Sequence, residues 1–309
     1  MRGFAAVLAL VLTGCAAPVA SGNDGSITLR QTPFKLDYTS LQGLRLLSAV
    51  ELSSYDTGFG GFSGLLVDDG ALTAVSDKGW WLDAKLRQAG DRLTLSDAIL
   101  TQMRDSAGDP LEKQGGDAEG LTRRGADTLV SFERDHRIMT RNGAAGLSNA
   151  LHHRAFENFS TNQGLESLAT LPDGRLLTIG EQRKKNGYVV YILGMNGILA
   201  RGWLPPLTRH APTGADVGPD GKLYVVFRDY SPLLGVSVMI RRFELAKDGL
   251  PDPATREDLA RFETRTGIDN MEGISLWRDA DGRTHLTLIS DDNFNGLQRT
   301  ILVDLEVLD

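Results

Sequence analysis

The sequence predicts an all-β fold, a β-propeller of six blades with four antiparallel strands each. Three observations support this. From Thr28 onward, short β-like runs alternate with turns rich in Gly and Asp. Long amphipathic helical patterns are scarce. One hairpin pattern recurs five times along the chain, and such repeats indicate a ring of similar units.

The repeated hairpin has a first β-run, a turn that contains Gly, and a second β-run that ends on a charged residue. Gly adopts the positive φ that tight hairpin turns require, so these dipeptides are strong hairpin signals. Successive turns lie about 45–60 residues apart, which leaves room for four strands per repeat. The five turns are Asp69-Gly70, Arg124-Gly125, Asp173-Gly174, Asp220-Gly221 and Asp281-Gly282.

The predicted number of blades depends on the two ends of the domain. Residues 44–52 and 300–307 are β-like and lie outside the five hairpins, so they are expected to form one further blade together. This gives six blades, with five or seven as alternatives. Residues 86–95 and 188–199 are expected to supply outer strands, and residues 254–262 one or two helical turns.

The first residues are typical of a secretory signal. Met1-Arg2 is basic, residues 4–12 are apolar, and small residues follow. The apolar run is shorter than the roughly 20 residues that span a bilayer as a helix. Residues 12–15, Leu-Thr-Gly-Cys, resemble the bacterial lipobox, which implies cleavage after residues 1–14 and lipidation of Cys15. A plain signal peptide with an incidental Cys is the alternative. Residues 15–27 then form a tether, and residues 28–309 the folded domain.

Charge and cysteine content restrict the partners. The formal net charge is −7, and a basic stripe is absent, which argues against nucleic acid as a partner. Cys15 is the one cysteine, so no disulfide can form within the chain. The expected protein is a monomer in the bacterial cell envelope, anchored by lipid to the outer membrane and facing the periplasm. Its expected partners are the membrane and a small-molecule ester or phosphoester.

Alignment of the hairpins on their turn glycines produces two columns of charged or polar residues. Inner strands of a propeller run roughly along the channel, so equivalent positions form rings around the axis. The column at the end of the second strand contains Asp77, Glu133, Glu181, Arg228 and Asp291. The column at the start of the first strand contains Ser63, Glu119, Glu166, Asp216 and Glu272.

Rings of like charge are unfavourable unless a cation or basic side chains offset them. Calcium suits such a site best, because hard cations take several oxygen ligands. The predicted metal ligands are Asp77, Glu119, Glu166, Glu272, Asp291 and Asp292. The predicted catalytic residues are Glu133, Glu181, Arg134 and Arg228, and the predicted substrate-binding residues are Lys78, His136 and Arg183. The alternative is that acids near hairpin turns only solvate loops or cap turns, and that His136 is a rim histidine.

Five motifs together resemble the bacterial phytase-like family described as having the esterase-like activity of phytase. They are residues 117–121, 131–134, 162–168, 270–274 and 290–293, in the family's order. The resemblance covers about residues 40–307. It implies a β-propeller, secretion to the envelope, and hydrolysis of esters or phosphoesters. The Asp-Asp-Pro-Ala motif of calcium-dependent propeller phytases is absent, which counts against phytate as the substrate.

Two classes of function follow. The first is a metal-dependent hydrolase of esters or phosphoesters acting at the propeller axis, with a lactonase as a variant of that class. The second is a non-catalytic scaffold that binds a ligand or a protein at the membrane, because a propeller fold does not fix a function.

Overall fold

Strands account for most of the structure, a computed structural model that describes residues 25–111, 114–160, 163–231 and 235–308. The described residues contain 22 β-strands. In chain order they are β1 (Arg30–Pro33), β2 (Ser40–Leu41), β3 (Leu44–Ser53), β4 (Phe62–Asp68), β5 (Ala71–Ser76), β6 (Trp80–Ala89), β7 (Arg92–Gln102), β8 (Ala118–Arg124), β9 (Asp127–Phe132), β10 (Arg137–Asn142), β11 (Gly146–Leu151), β12 (Leu165–Thr170), β13 (Leu176–Lys184), β14 (Gly187–Gly194), β15 (Gly197–Leu204), β16 (Ala211–Val217), β17 (Leu223–Ser231), β18 (Gly235–Phe243), β19 (Glu257–Glu263), β20 (Met271–Arg278), β21 (Thr284–Ser290) and β22 (Thr300–Val307).

These strands form five antiparallel sheets, the blades of a propeller. Blade 1 is β4-β5-β6-β7, blade 2 is β8-β9-β10-β11, and blade 3 is β12-β13-β14-β15. Blade 4 is β16-β17-β18-β19 with β2 added at its outer edge, and blade 5 is β20-β21-β22-β3 with β1 added. The innermost strands contact each other in the order β4, β8, β12, β16, β20 and back to β4, so the ring is closed.

The prediction of six blades is wrong, and the reason lies in the two terminal strands. The fifth hairpin supplies only β20 and β21 of its blade. β22 pairs with β21, and β3 pairs with β22, with Thr300 opposite Leu52. The segments expected to form a further blade therefore complete the fifth one.

The predicted hairpin turns are present in all five blades. The turn glycines have positive φ, for example +72° at Gly70, where Asp69 is also left-handed at +46°. Two successive residues with positive φ match the twist of an antiparallel hairpin, which explains the Asp-Gly pair. The prediction of one or two helical turns in residues 254–262 is wrong in part, because only Pro253–Thr255 form a 3-10 turn and β19 follows.

The core consists of apolar layers between adjacent blades. Between blades 4 and 5, Val238 and Ile240 pack with Leu286, Leu288 and Val303, all of which are completely buried. Burial of one such side chain contributes about 1.5–3 kcal/mol. Each blade can cover its faces only with its neighbours, so stability depends on ring closure.

Among the described residues, no helix has the length and apolar character needed to cross a bilayer. The predicted signal segment 1–14 and Cys15 lie outside the described residues, as does most of the predicted tether.

Candidate functional site

Each innermost strand carries a β-bulge at the same position. The register shifts after Phe62, Ala118, Leu165, Pro212 and Met271 in blades 1 to 5. A bulge inserts an extra residue and redirects the local side chains, and bulges are frequent near functional sites. The residues that follow the shift points are Ser63, Glu119, Glu166, Thr213 and Glu272.

The bulges bring carboxylates of three blades to the propeller axis. Glu119, Glu166, Glu272 and Ser63 line one axial cavity of about 10 Å³. Such a cavity has room for about one water molecule. The three glutamates are only 7%, 8% and 8% exposed. The structure thus brings together these three predicted ligands at a small, deep point of the axis.

Asp216 does not belong to this ring, contrary to the column derived from the sequence. Thr213 holds the blade 4 position, and its hydroxyl donates to the Met271 carbonyl at 3.0 Å. Asp216 lies three residues further along β16 and accepts from the Leu276 N–H at 2.7 Å. Burial raises the pKa of Asp216 to about 7, although two backbone N–H groups oppose this.

The second predicted column forms a ring one layer away from the first. The N–H groups of Asp77, Glu133, Glu181 and Asp291 donate to the carbonyls of Gly61, Asp117, Gly164 and Asn270. These carbonyl residues all lie two positions before a bulge residue. Arg228 takes the same register in blade 4, opposite Ala211. The five strand-end residues are therefore structurally equivalent.

Hydrogen bonds connect the two rings. Glu133 shares a hydrogen bond with Glu166 and accepts the Gly164 N–H at 2.9 Å. Asn270 donates its side-chain amide to Glu272 at 2.9 Å and to Asp291 at 3.4 Å. The first contact joins carboxylates of blades 2 and 3, and the second joins the two carboxylates of blade 5.

Arg228 supplies a positive charge inside this acidic cluster. Its guanidinium lies 3.6 Å from Glu181 and 3.4 Å from Glu272. Burial opposes the charge, but Glu272 and Glu181 raise the pKa of Arg228 above its usual value. The Nε atom of Arg228 is buried and has no hydrogen-bond partner among the described residues.

Burial and mutual repulsion favour the protonated form of most of these acids. Burial, and then the charge of Glu272, raise the pKa of Glu119 well above its usual range. Burial and the charge of Glu119 do the same to the pKa of Glu166. Burial raises the pKa of Glu181 to about 7 against the opposing effect of Arg228, and burial and Glu272 raise that of Asp291 to about 8.

Three buried acids have oxygens close enough to share a metal ion: Asp117, Glu119 and Glu133, with one oxygen of each within 4.8 Å of the others. Two oxygens bound to one calcium ion at about 2.4 Å can be up to about 4.8 Å apart. An all-carboxylate donor set also suits a hard cation. The residues therefore fit calcium, although these three supply only part of its usual shell of six to eight oxygens.

Asp117 is a candidate ligand that the sequence reasoning missed. It precedes the aligned bulge position by two residues, so it fell outside both columns. Asn270 holds the same place in blade 5 and was missed for the same reason. A second alignment, on the residue two before each bulge, would have found both.

Asp292, a predicted metal ligand, has hydrogen-bond partners different from those of the axial glutamates. It accepts from the N–H groups of Gly61 and Phe294 and from the Thr300 hydroxyl, at 2.9–3.0 Å. These bonds connect the loop after β21 to blade 1. The contacts of Asp292 are those of a residue that fixes the junction between blades 5 and 1.

The predicted basic residues are distributed around the rim. Arg134 donates to the carboxylate of Asp117, one of the three acids of the candidate metal-binding cluster (Asp117, Glu119 and Glu133). The ammonium of Lys78 lies 3.0 Å from the centre of the Phe294 ring.

The other two predicted substrate-binding residues contact backbone carbonyls. Arg183 donates to the Thr208 carbonyl at 2.5 Å. His136 is half-buried, contacts the Ser160 carbonyl at 3.2 Å, and has its pKa lowered by burial.

Comparison with protein families gives one match. The model of the phytase-like family, described as "Esterase-like activity of phytase", matches residues 57–294. The matched segment covers all five innermost strands and both rings. No curated protein matches the chain.

Several solved structures resemble this chain at low similarity. Xylan beta-1,4-xylosidase from Bacillus halodurans has a TM-score of 0.49 and 13% identity, over 80% of this chain and 53% of the xylosidase, so the chain spans about half of that protein. A gluconolactonase from Xanthomonas campestris has a TM-score of 0.43 and 12% identity, over 93% and 99% of the two chains. The PQQ-bound aldose sugar dehydrogenase from Streptomyces coelicolor has a TM-score of 0.41 and 10% identity, over 91% and 100%. At such values, no statement on activity follows from these three structures.

Proposed function

This chain belongs to the phytase-like family, and on that premise we propose that it is a metal-dependent hydrolase of esters or phosphoesters. The reaction would take place at the axial end where the two rings of carboxylates meet. The observation that supports this most directly is the cluster of Asp117, Glu119 and Glu133 beside Glu181 and Arg228.

The proposal includes a divalent cation because of the charge balance. Arg134 contacts Asp117, and Arg228 contacts Glu181 and Glu272. When the carboxylates of the two rings are ionised, these two guanidinium groups do not balance their charge, and the excess negative charge would repel an anionic substrate. When bound, calcium would polarise the carbonyl or phosphoryl oxygen of the substrate. Asp117, Glu119 and Glu133 would hold it.

Glu181 is the proposed general base. With a pKa of about 7, it can accept a proton from water near neutral pH, where a base is most effective. Its side chain is 17% exposed, so water can reach it. Arg228 holds this carboxylate at 3.6 Å and can donate to the oxygen that becomes negative in the transition state.

The test is hydrolysis of p-nitrophenyl phosphate and p-nitrophenyl acetate, with calcium and with chelator. We expect activity only with calcium, and a loss of about 100-fold or more in Glu181→Gln. Glu244→Gln is the matched control, because Glu244 is exposed in blade 4 and pairs with Lys222. Equal turnover of both esters in the presence of chelator would remove the metal from the mechanism.

A non-catalytic binding protein with a structural cation is the second candidate. The depth of the ring favours it, because Glu119, Glu166 and Glu272 are at most 8% exposed and their cavity admits only an ion or a water molecule. In that case, calcium would raise the melting temperature, but neither ester would be hydrolysed at a rate that Glu181→Gln changes.

We also propose that the protein is anchored to the cell envelope through a lipid on Cys15. The support is the sequence before and at Cys15. Substitution Cys15→Ser should move the protein from the membrane fraction to the soluble fraction of cells. Membrane recovery equal to that of the unchanged chain would contradict the anchor.

A further inference from the structure

A groove lies between the turn after β9 in blade 2 and the outer strands β14 and β15 of blade 3. Its inner part is a cavity of about 510 Å³, and its outer part is a cavity of about 540 Å³. His153 and Phe159 line both cavities, so the two cavities adjoin each other. Cavities of this size accommodate small organic ligands. We call the combined space the interblade groove.

The inner part of the interblade groove is rich in groups that bind anions. Its walls carry Arg134, His136, His152, His153 and Arg154. Asp135 and Glu157 also line it, so two guanidinium groups and three imidazoles face two carboxylates there. The Nδ1 atom of His153 accepts the Ala155 N–H at 3.0 Å, which leaves its Nε2 atom as a hydrogen-bond donor.

The outer part offers a surface for an organic ring. Trp203 is half-buried, and the Arg201 guanidinium lies 5.0 Å from the centre of its ring. Tyr191 and Lys184 line the same space. Aromatic and guanidinium planes of this kind stack on sugar or aromatic rings. Lys184 and Arg201 make this part positive as well.

Arg134 connects the groove to the metal-binding cluster. It lines the inner cavity and donates to Asp117. Its backbone is left-handed at φ +59°, which is unfavourable for a residue with a side chain and is frequent at functional sites. The Asp117 carbonyl accepts the Glu133 N–H at 2.8 Å and so fixes the turn on which Arg134 lies. A ligand in the groove therefore has one end beside the proposed reaction centre.

We propose that the interblade groove binds the substrate of this site, a phosphoester whose organic part carries a ring. The phosphoryl group lies near Arg134, His136 and Arg154, and the ring lies against Trp203 and Arg201. This specificity rests on the proposed hydrolase. In a chain of net charge −7, the groove offers an anionic ester Lys184 and Arg201 in its outer part, and Arg134 and Arg154 beside Asp135 and Glu157 in its inner part.

The test measures binding separately from turnover, by titration calorimetry on calcium-loaded Glu181→Gln protein. The two probes are p-nitrophenyl phosphate and inorganic phosphate. In this background, Trp203→Ala should weaken binding of p-nitrophenyl phosphate about five- to tenfold and leave inorganic phosphate unchanged. Arg154→Gln should weaken both probes.

Arg201→Gln is a second variant for the outer part, because Arg201 is exposed and its substitution does not disturb the core. It should weaken p-nitrophenyl phosphate alone. Arg92→Gln is the matched control, an exposed arginine on β7 of blade 1. It should change neither affinity. Unchanged affinity for p-nitrophenyl phosphate in Arg201→Gln and in folded Trp203→Ala would overturn the proposal.

The two proposals fail in different ways. If the ring-bearing probe binds as described but the protein with an intact Glu181 hydrolyses no ester, the groove is supported and the hydrolase is not. If esters are hydrolysed with a KM that neither Trp203→Ala nor Arg154→Gln changes, the hydrolase is supported and the groove is overturned.

Discussion

Arg228 is a cation at a ring position where four other blades carry a carboxylate. Its guanidinium contacts both Glu181 and Glu272, and its charge lowers the pKa of Glu181. The pKa of Glu181 lies at about 7, because burial raises it and the charge of Arg228 opposes that rise. The protonation state of the proposed base therefore depends on one side chain of the neighbouring blade.

The substitution Arg228→Gln should move the pH dependence of hydrolysis upward. Arg228 lowers the pKa of Glu181, so its removal lets that pKa rise above about 7, and the activity that requires ionised Glu181 then appears at higher pH. The measurement is the pH profile of kcat/KM. Arg209→Gln is the control, because Arg209 is exposed and pairs with Asp229 in the same blade. A profile shifted to lower pH would contradict this role.

His285 is a buried histidine that holds blade 5 together. It is fully buried, lies 3.0 Å from Asp304 and 3.3 Å from Asp279, and stacks on Trp277 at 4.3 Å. Burial lowers its pKa, but the hydrogen bond and charge of Asp304 outweigh this and raise it above the usual value. The imidazolium and the two carboxylates compensate one another in the interior.

Substitution His285→Leu should destabilise the protein by about 3–5 kcal/mol, because it leaves two carboxylates without their shared partner. Denaturant unfolding measures the change. His152→Leu is the control, since His152 is exposed, and it should change the free energy of unfolding by less than about 0.5 kcal/mol. Equal stability of the two variants would show that the buried network contributes nothing.

At the scale of the strand, the repeated bulge explains why small residues follow the ring positions. An added Cβ at Gly214 would lie 2.1 Å from the Glu272 carbonyl oxygen, and one at Gly120 2.7 Å from the Leu168 Cβ. At Gly273 it would lie 2.9 Å from the Leu65 Cβ. Each of these contacts is made with the innermost strand of the next blade. The glycines therefore let the inner strands approach closely enough to bring the carboxylates together.

The substitution Gly214→Ala should lower the melting temperature, with a loss of about 1–3 kcal/mol, because the neighbouring backbone must move. Gly296→Ala is the matched control, because a Cβ there meets nothing within 4 Å and no unusual φ is involved. It should be neutral. Thermal unfolding of both variants decides the matter, and identical melting temperatures would contradict tight packing between β16 and β20.

The blade pattern could be predicted from the sequence because turn glycines such as Gly70 mark hairpins by a local conformational requirement. The strand-end ring, including Glu133 and Glu181, could be predicted because its residues lie at nearly constant distances from those turns. That Thr213 rather than Asp216 holds the blade 4 position could not be predicted. A bulge adds one residue to the strand, and the alternation of apolar and polar residues does not reveal it. The blade number depended on the pairing of β3 with β22, which involves residues more than 200 positions apart.

For the whole molecule, the buried acids make stability depend on pH in an unusual direction. In the folded protein, Glu181 and Asp291 release their protons near pH 7 and 8, whereas in the unfolded chain they do so near pH 4. Between these values the folded state holds more protons, so the free energy of unfolding falls as pH rises. The proposed cation, when bound, would replace those protons and offset the loss.

Metal-free protein should therefore melt at a higher temperature near about pH 5 than near about pH 8, and calcium should raise the melting temperature mainly at the higher pH. At about 100 times its Kd, calcium would add about 2.7 kcal/mol. Differential scanning calorimetry at both pH values, with chelator and with calcium, provides the measurement. Glu166→Gln should reduce the pH effect. A melting temperature that rises steadily from pH 5 to 8 without calcium would refute the argument.

The pairing of β22 between β21 and β3 determines when the axial site can exist. During synthesis, the first four blades can be complete while β3 still exposes an unpaired edge. Only after residue 307 has left the ribosome can the last strand insert and bring blade 5 against blade 1. Asn270, Glu272 and Asp291 of blade 5 therefore reach their positions in the site last. A chain without β22 would have unpaired strand edges at β3 and β21 and no complete axial site.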